Sequence, residues 1–355
     1  MFGFKKNKGK AFVGLSGGVD SAVSAALLKR RGYDVTGVFI RIAIEGYPCP
    51  AAQDRIEAMR VAAHLKIPFI EIDLSKEYQE RVFNFSIAEF AKGRTPNPDA
   101  LCNREIKFGL FYEFARARGA DYVATGHYAR AKGGALFTGA DENKDQSYFL
   151  WAVPEEHLKR ALFPVGGLKK PQVRKLARKF GLPNSARPDS QGLCFLGDIG
   201  IEDMLARETA PALGEVRSDT GEVIGTHKGA QLYTLGQRHG FELFNQASDS
   251  PAHFVVGKDI ARNTITVSIN RYPPAASETR LELEETNWIG GASSGEFDAR
   301  FRYRQKLMRA RLSLEGKGAV VTLKEPHYAP EGQSLVLYDG ERCLGGGIIR
   351  KATLA

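Results

Sequence analysis

A run of small residues at positions 14–21 is the first feature that could do chemistry, because it could bind the phosphates of a nucleotide. Glycines let the backbone wrap closely around an anion, and a helix start adds free N–H groups and the positive end of a dipole. A Walker loop carries a lysine before its final serine, but here that position is Asp20. The sequence therefore predicts an ATP site that holds pyrophosphate as a leaving group, with Asp20 helping to hold Mg²⁺. The predicted ATP-binding residues are Gly14, Leu15, Ser16, Gly17, Gly18, Val19, Asp20 and Ser21. The alternative is a glycine-rich turn that only caps a helix.

Cys102 is a candidate nucleophile. Pro96 and Pro98 end the preceding helical pattern, and Pro98 suits the first position of the next helix. This predicts that Asp99 and Cys102 lie three residues apart in the first turn, on one face. The helix dipole stabilises a thiolate there, and Asp99 could take or deliver a proton. The alternative is a small buried cysteine that packs against a helix start.

Cys194 is a second candidate, in a stretch with one proline and two glycines over residues 187–197. This composition predicts a loop, and a loop can move a thiol between a donor and an acceptor. The alternative is a cysteine half-buried by its apolar neighbours. We interpret Cys49 and Cys343 as bystanders. The four cysteines are too sparse for a disulfide framework, and no Cys-x-x-Cys zinc pair exists.

The elements that position these residues alternate between strand and helix in the first half of the chain. Strands are predicted over residues 10–15, 35–44, 69–73 and 121–125, and helices over residues 21–31, 54–65, 76–92, 99–118, 148–160 and 171–180. This order predicts an α/β fold with a parallel sheet and helices on both faces.

The second half of the chain consists of short β-type runs split by turn residues. They cover residues 214–226, 254–267, 280–288, 297–314, 319–323, 334–338 and 342–349. We expect a small mixed β-rich domain and then a C-terminal antiparallel β-barrel. The predicted domains are residues 1–205, 206–272 and 273–355.

Composition narrows the class of protein. Of 355 residues, 43% are hydrophobic and 26% are charged, which excludes a mainly disordered chain. The net charge of +9 favours a polyanionic partner such as a nucleic acid. No apolar run reaches the roughly 18 residues that span a bilayer, and the basic N-terminus lacks a signal-type segment. We therefore expect a cytoplasmic protein without a membrane partner.

Two groups of basic residues are candidate phosphate contacts, with solvated faces as the alternative. One helix carries Lys169, Lys170, Arg174, Lys175, Arg178 and Lys179, and the C-terminal β region carries Arg302, Arg304, Lys306, Arg309 and Arg311.

Eight segments, in order along nearly the whole chain, resemble the tRNA-specific 2-thiouridylase family of the pyrophosphate-loop ATPase superfamily. They are residues 14–21, 93–103, 105–108, 124–128, 144–150, 189–195, 302–305 and 343–347. The resemblance implies an adenine nucleotide α-hydrolase-like fold. It also implies an enzyme that uses ATP and Mg²⁺ to adenylate the C2 oxygen of the wobble uridine in tRNA.

The resemblance further implies how sulfur would be delivered. A persulfide on Cys194 would bring the sulfur, and Cys102 would release it onto the base, leaving a disulfide between these two cysteines. Asp99 would act as acid or base. The sulfur would come from an upstream persulfide donor, such as a cysteine desulfurase or a sulfur relay protein.

The remaining site residues are carried over from the resemblance alone. Ile40 and Gly126 would contact the nucleotide. Contact with tRNA is implied for Asn97, Pro98, Asp99, His127, Lys144, Asp145, Gln146, Arg302, Tyr303 and Gln333. For His127, a hydrogen-bonded histidine at a strand end is an equal alternative. The chain departs from the family after Ile40, where residues 41–48 replace a polar, acidic segment with a tryptophan.

Three alternatives stay open from the sequence. The first is another pyrophosphate-loop synthetase that ligates an amine, although such an enzyme has no use for two placed cysteines. The second is a non-catalytic tRNA-binding sulfur relay. The third concerns mechanism, because Asp99, Cys102 and Cys194 could ligate an iron–sulfur cluster.

Overall fold

The computed structural model describes residues 8–47, 51–189, 204–205, 207–208, 212–244, 251–273, 275–315 and 318–355. Cys194 and Cys49 lie outside these residues, so the predicted loop around Cys194 has no structural counterpart here. Apolar β-type runs of the first half form a parallel sheet in the order β3-β2-β1-β4-β7. Its strands are β1 (Lys10–Gly14), β2 (Asp34–Arg41), β3 (Phe69–Asp73), β4 (Tyr122–Ala124) and β7 (Ala161–Leu162).

Helices cover both faces of this sheet, as predicted. They are α1 (Val19–Arg30), α2 (Ala51–Leu65), α3 (Ser75–Tyr78), α4 (Asn84–Ala91), α5 (Pro98–Cys102), α6 (Phe111–Ala117), α7 (Glu155–Leu158) and α8 (Lys170–Lys179). π-helical turns at Gln79–Phe83 and Asn103–Leu110 join α3 to α4 and α5 to α6. Side chains alternate along β1, so Val13 packs with α1, α2 and α8, whereas Phe12 packs on the opposite face with Phe111.

A mixed five-stranded sheet follows, in the order β10-β9-β8-β12-β11. It contains β8 (Gly214–Arg217), β9 (Val223–His227), β10 (Phe241–Leu243), β11 (Phe254–Asp259) and β12 (Thr264–Ser268). β8 and β12 pair in parallel and the other neighbours are antiparallel. This sheet confirms the predicted mixed β-rich region.

The C-terminal strands close into an antiparallel barrel, which confirms the second β prediction. They are β13 (Thr279–Trp288), β14 (Gly295–Arg300), β15 (Met308–Glu315), β16 (Gly318–Leu323), β17 (Ser334–Asp339) and β18 (Arg342–Leu354). Pairing of β13 with β18 completes the ring. Alternate side chains, among them Leu281, Phe301 and Leu337, fill its interior.

A hairpin in the first half extends this barrel sheet. β5 (Ala129–Lys132) and β6 (Ala135–Thr138) turn at Gly133 and Gly134, both at positive φ, and β6 pairs with β18. The pair of glycines between two short runs is the signal that sequence reading missed.

Two sequence expectations were wrong. A helix was expected over residues 148–160, but there the chain has a 3₁₀ turn at Ser147–Phe149 and then the single turn α7. Pro154 precedes α7 in extended backbone and therefore starts a new helix rather than continuing one. The strand expected to reach Ile44 ends at Arg41, although Ile42 and Ile44 remain buried. Within the described residues, every helix is too short or too polar to cross a bilayer.

Candidate active site

The loop after β1 is held in shape by its own hydrogen bonds. The Ser21 hydroxyl donates to the Gly18 carbonyl (3.1 Å) and accepts from the Ser16 amide (3.2 Å). Gly17 has φ +75°, and a Cβ there would lie 2.6 Å from the Asp54 carbonyl oxygen. The loop runs directly into α1, whose first-turn amides have no acceptor within the helix. This is the geometry of an anion-binding loop.

A second chain segment fastens the outside of this loop. Asn184 donates from its side-chain amide to the Gly17 carbonyl (2.7 Å), and Arg187 donates to the same oxygen (3.3 Å). Arg187 also forms an ion pair with Asp54 of α2. Residues 184–187, which precede Cys194 in the sequence, are therefore attached to the phosphate loop, and no local sequence pattern indicates this connection.

Asp20, which the sequence predicts as a Mg²⁺ ligand, is already paired. The Lys170 ammonium lies 2.8 Å from both of its carboxylate oxygens, and the Tyr128 hydroxyl donates to it at 2.8 Å. Burial, and then the Asp20 carboxylate, raise the pKa of Tyr128, so this hydroxyl remains a donor. Among the described residues, no group of three or more His, Cys, Asp or Glu side chains could hold a metal. Because Mg²⁺ commonly takes only one or two protein carboxylates beside substrate phosphates, the role of Asp20 stays a prediction.

Asp189 is the centre of the same cluster. It forms ion pairs with Lys144 (2.8 Å), Lys170 (2.8 Å) and Arg174. Partial burial would raise the pKa of Asp189, but the hydrogen bonds and charges of Lys144 and Lys170 outweigh it and hold the pKa well below its ordinary value. Lys170 and Arg174, predicted as phosphate contacts, and Lys144, for which tRNA contact is implied, thus contact carboxylates in this structure.

Gly126, predicted at the nucleotide, lies directly against the start of α1. A Cβ at this position would come within 2.7 Å of the Ser21 amide nitrogen and 2.9 Å of the Asp20 carbonyl carbon. Ile40 lies at the carboxyl end of β2, beside the strand that leads into the phosphate loop. Both residues therefore lie at the sheet edge where α/β folds bind nucleotides. Their contact with the nucleotide stays a prediction.

Helix α5 presents the predicted nucleophile. Asn97 caps it by accepting from the Ala100 amide (3.1 Å), and Pro98 is its first residue, so Asp99 lies in the first turn as expected. Cys102 ends α5 and has no exposed surface. The predicted reaction of Cys102 with an RNA base would therefore require the residues around Cys102 to move apart.

Aromatic contacts link the π-helical turn after α5 to the residue beside Gly126. The ring of Phe108, six residues after Cys102, lies 6.2 Å from the ring of His127, and His127 follows Gly126. His127 is also next to Phe163 (6.1 Å) and shares a 2.7 Å hydrogen bond with Thr125. Phe108, in the π-helical turn that follows α5, thus contacts the residue next to Gly126, and Gly126 lies against the start of α1.

The residues predicted to contact tRNA divide into two sets. Near the barrel, Asn97 donates to the Ser334 hydroxyl (3.2 Å), and Tyr148 donates to Gln333 (3.0 Å). The ring of Tyr303 packs on that of Phe149, with the ring centres 4.7 Å apart. Arg302 is exposed. Gln146 instead accepts from the Tyr128 amide (3.0 Å), and Lys144 lies in the Asp189 cluster. RNA contact by these residues stays a prediction.

Two of the predicted tRNA residues are buried in this structure. Asp145 pairs with Arg300 and accepts from the Gly139 amide (2.9 Å), with side-chain exposures of 5% and 9% for the ion pair. His127 is enclosed by Phe108 and Phe163. Burial, and then the charge of Lys107, lower its pKa well below the ordinary 6.5. Here Asp145 and His127 contribute to the protein core, and RNA could meet them only after rearrangement.

A cleft of about 310 Å³ separates α5 from the barrel. Asn97 and Leu101 line one wall, and Trp151, Ser334 and Ile348 line the other. Two arginines at this cleft are paired with barrel carboxylates, Arg94 with Glu284 and Arg104 with Glu285. The cleft thus opens between the helix that carries Cys102 and the C-terminal barrel.

The predicted basic surfaces differ in their pairing. On α8, the side chains of Lys169, Lys175, Arg178 and Lys179 are exposed. In the barrel, Arg309 pairs with Asp298 (3.1 Å) and Arg311 with Glu296 (2.8 Å). Part of the barrel stripe is therefore neutralised by its neighbours.

Comparison with known proteins gives matches across the chain. Family profiles described as tRNA methyl transferase HUP domain, tRNA methyl transferase PRC-barrel domain and Aminomethyltransferase beta-barrel domain match residues 9–198, 202–269 and 278–349. The tRNA-specific 2-thiouridylase MnmA of Enterococcus faecalis is 40% identical over 360 residues, covering 98% of this chain and 96% of the relative. That of Lacticaseibacillus paracasei is 41% identical over 356 residues, covering 97% and 94%.

The chain is also similar to a solved 4-thiouridine synthetase–RNA complex with bound ATP, at 18% identity and a TM-score of 0.35 over 54% of this chain and 46% of the other. The profile descriptions name methyl transferases, whereas the relatives are thiouridylases. Identity along almost the whole length is the more specific finding of the two.

Proposed function

The chain belongs to the tRNA-specific 2-thiouridylase family, and we propose that it is a tRNA-uridine 2-sulfurtransferase that makes 2-thiouridine at the wobble position. The observation that carries this proposal is the placement of Cys102. Its helix, α5, borders a cleft against the barrel, and Phe108, in the π-helical turn after α5, contacts His127 beside Gly126. This supports the proposal because α5 borders an opening large enough for a base, and the turn that follows α5 packs toward the predicted ATP loop.

In the proposed first step, the C2 oxygen of the flipped uridine attacks the α-phosphorus of ATP. The bond between the α-phosphorus and the bridging oxygen breaks, pyrophosphate leaves with the electron pair, and the base loses its N3 proton. The amides at the start of α1 and the loop Gly14–Ser21 suit the negative charge of the phosphates. Mg²⁺ would enter as the counter-ion of ATP, because the protein itself offers no carboxylate cluster for it among its described residues.

In the proposed second step, the terminal sulfur of a Cys194 persulfide attacks C2 and AMP leaves. The Cys102 thiolate then attacks the Cys194 sulfur, and the sulfur–sulfur bond breaks with its electrons going to the thiocarbonyl. The product is 2-thiouridine with a Cys102–Cys194 disulfide, which a dithiol reductant returns to two thiols. Asp99, in the same helical turn, would transfer the proton of Cys102.

Chain length supports a role for Cys194, although this residue lies outside the described part of the chain. Asp189 is fixed to the cluster beside Asp20, and Cys194 follows five residues later. The proposal requires Cys194 to reach the nucleotide end of the site from this point of the sequence. Its sulfur would come from an upstream persulfide donor, such as a cysteine desulfurase or a relay protein.

The experiment compares two buried cysteines. Cys102→Ala should abolish 2-thiouridine formation, by at least about 10³-fold, because removing a nucleophile leaves only residual rates. Cys343→Ala is the matched control, since Cys343 is equally buried and burial raises the pKa of its thiol to about 12. Both variants are assayed with tRNA, ATP, Mg²⁺, a persulfide donor (a cysteine desulfurase with cysteine) and a dithiol reductant, by mass analysis of nucleosides.

Three outcomes separate the alternatives. Loss of thiolation in Cys102→Ala alone supports the proposal. Unchanged nucleotide-dependent ligation of an amine in both variants would instead indicate an amine-forming synthetase. Release of neither AMP nor pyrophosphate by the unaltered protein would indicate a non-catalytic relay.

A further inference from the structure

Two neighbouring arginines lie where the central β sheet meets the barrel, and both are exposed. Arg271 follows β12, and Arg302 follows β14. Within the part of the chain that the structure describes, neither forms an ion pair with a carboxylate. Desolvation of the Arg302 guanidinium, and then the charge of Arg271, lower the pKa of Arg302. Like charges that repel each other in the free protein are stabilised when an anion binds between them.

Aromatic rings surround these two charges. The Arg271 guanidinium lies 5.2 Å from the centre of the Tyr272 ring, and the Tyr272 and Tyr328 rings pack with their centres 5.2 Å apart. Arg302 reaches the carbonyl of Tyr328 at 3.5 Å. Both tyrosines are half-buried, so aromatic surface remains accessible to a ligand. Single-stranded nucleic acid binds to such surfaces, because its phosphates pair with arginines and its bases stack on rings.

The barrel supports this pair of tyrosines from within. The His327 ring lies 6.5 Å from that of Tyr272 and 6.1 Å from that of the buried Phe301. Burial lowers the pKa of His327, so the imidazole is neutral at physiological pH. Glu325 lies 3.8 Å from His327, and the two arginines outweigh its charge. Rings that are already fixed in the free protein lose little conformational freedom when a base stacks on them.

Tyr148 connects this cluster to the candidate active site. Its hydroxyl donates to the Ser334 carbonyl (3.0 Å), and Ser334 lines the cleft beside α5. Tyr148 also lies close enough to Arg302 to interact with it electrostatically. A strand whose base enters the cleft therefore has its flanking nucleotides on the side of the barrel where the arginines and tyrosines lie.

We propose that Arg271, Tyr272 and Tyr328 form a second nucleotide site, which binds the unpaired nucleotide next to the wobble uridine. Its base stacks on the two tyrosines, and its phosphate lies between Arg271 and Arg302. The inference rests on the proposed function, and it adds a site for a nucleotide that does not react. Contact of Arg302 with tRNA is implied by the family resemblance, whereas Arg271 and the two tyrosines are new assignments.

The test uses an anticodon stem-loop RNA with 2-aminopurine at one or the other base next to the wobble uridine. Stacking quenches the fluorescence of 2-aminopurine, and the full-length protein should quench it at one of the two positions. Tyr272→Ala should remove the quenching and weaken binding about fivefold to hundredfold, the effect of losing one stacked base, whereas Tyr272→Phe should stay within about twofold. Phe244→Ala is the control, because Phe244 is an exposed aromatic residue after β10 in the same central sheet, and it should change neither readout.

The arginine is tested separately through salt dependence. Arg271→Gln should weaken binding of the stem-loop and lower the slope of log K against log salt by about 0.7, the value for one phosphate contact of a single strand. Fluorescence titrations at several salt concentrations measure this slope. An unchanged slope would show that Arg271 does not bind a phosphate and would overturn that part of the inference.

Other results would overturn the stacking site as a whole. Quenching at neither position would do so without any variant, which keeps the inference testable if Tyr272→Ala does not fold. Equal weakening of a fully paired RNA duplex by Tyr272→Ala would show a general loss of surface rather than of a stacked base. Unchanged RNA binding by all variants would leave the cluster to a protein partner. Because these measurements need neither ATP nor sulfur, failure of thiolation would count against the proposed function alone.

Discussion

His127 illustrates how burial can decide the chemistry of a single side chain. Its ring lies between Phe108 and Phe163, and one nitrogen shares a hydrogen bond with Thr125. Burial and the charge of Lys107 lower its pKa, so the imidazole is neutral at physiological pH. A neutral, enclosed imidazole therefore holds Phe108 and Phe163 beside the end of β4 by packing rather than by charge.

This gives a prediction about pH and stability. The unfolded chain takes up a proton at His127 near the ordinary pKa of 6.5, whereas the folded protein does not. The stability that His127 contributes is therefore present above pH 6.5 and is lost as the pH falls below it. Relative to His127→Asn, the unaltered protein should lose about 1.4 kcal/mol of unfolding free energy between pH 7.5 and pH 5.5.

Urea unfolding of both proteins at the two pH values measures this difference. His227 and His327, whose pKa values are also lowered chiefly by burial, titrate in both proteins and cancel in the comparison. An equal pH dependence of the two proteins would mean that His127 becomes protonated in the folded state.

The contact between the end of β4 and the start of α1 determines the shape of the nucleotide loop. Gly126→Ala would place a methyl group 2.7 Å from the Ser21 amide, which is backbone and cannot rotate away. We expect a loss of about 1–3 kcal/mol of unfolding free energy, typical of overpacking, and at least tenfold weaker ATP binding. Calorimetric titration with ATP and thermal unfolding measure the two effects.

Gly167→Ala is the control for this prediction. A Cβ at Gly167 has no heavy atom within 4 Å, and its backbone is not in the left-handed region. Its stability should change by no more than about 0.5 kcal/mol. Equal effects of the two substitutions would show that the close approach at Gly126 does not constrain the loop.

The hydrophobic periodicity predicted the strands and helices correctly where the local sequence determines the secondary structure. The strands that carry the phosphate loop, the helix start at Pro98 and the β-rich second half were all found from the sequence. The helix expected over residues 148–160 was wrong because its apolar residues pack around turns, with Leu150 and Val153 buried in the core. Apolar content alone does not distinguish a buried turn from a buried helix.

The candidate site was predictable only in part, for a related reason. The phosphate loop and α5 are each continuous in sequence, so their motifs could be read directly. The pairing of Asp20 with Lys170 joins residues 150 positions apart, and nothing in either neighbourhood specifies the other. Contacts of this kind follow from the packing of α8 beside α1.

The barrel and the catalytic part form one continuous structure. The β5–β6 hairpin adds to the barrel sheet through β18, and a buried ion pair joins Arg300 of the barrel to Asp145. Tyr338 accepts from Arg300 (2.7 Å), and Ser147 donates to Asp145 (3.0 Å), so the charges are surrounded by hydrogen bonds. A buried pair satisfied in this way holds its two elements in one register. The barrel therefore fixes one wall of the cleft beside α5.

The distribution of positive charge over this structure determines how it could bind a whole tRNA. The barrel arginines Arg309 and Arg311 have carboxylate partners, whereas α8 presents an exposed basic face beside the nucleotide end of the site. Replacing the basic side chains of this α8 face with glutamine should weaken tRNA binding. It should also make binding less dependent on salt. The slope of log K against log salt should fall by roughly 0.7–0.9 for each lost phosphate contact. The face consists of Lys169, Lys175, Arg178 and Lys179. Filter binding from low to moderate salt measures the slope.

The control is the double change Arg309→Gln and Arg311→Gln in the barrel. It should lower the slope of log K against log salt less than the α8 change does, because arginines already paired with carboxylates release fewer counterions. A larger drop for the barrel pair would place the tRNA body on the barrel instead of α8.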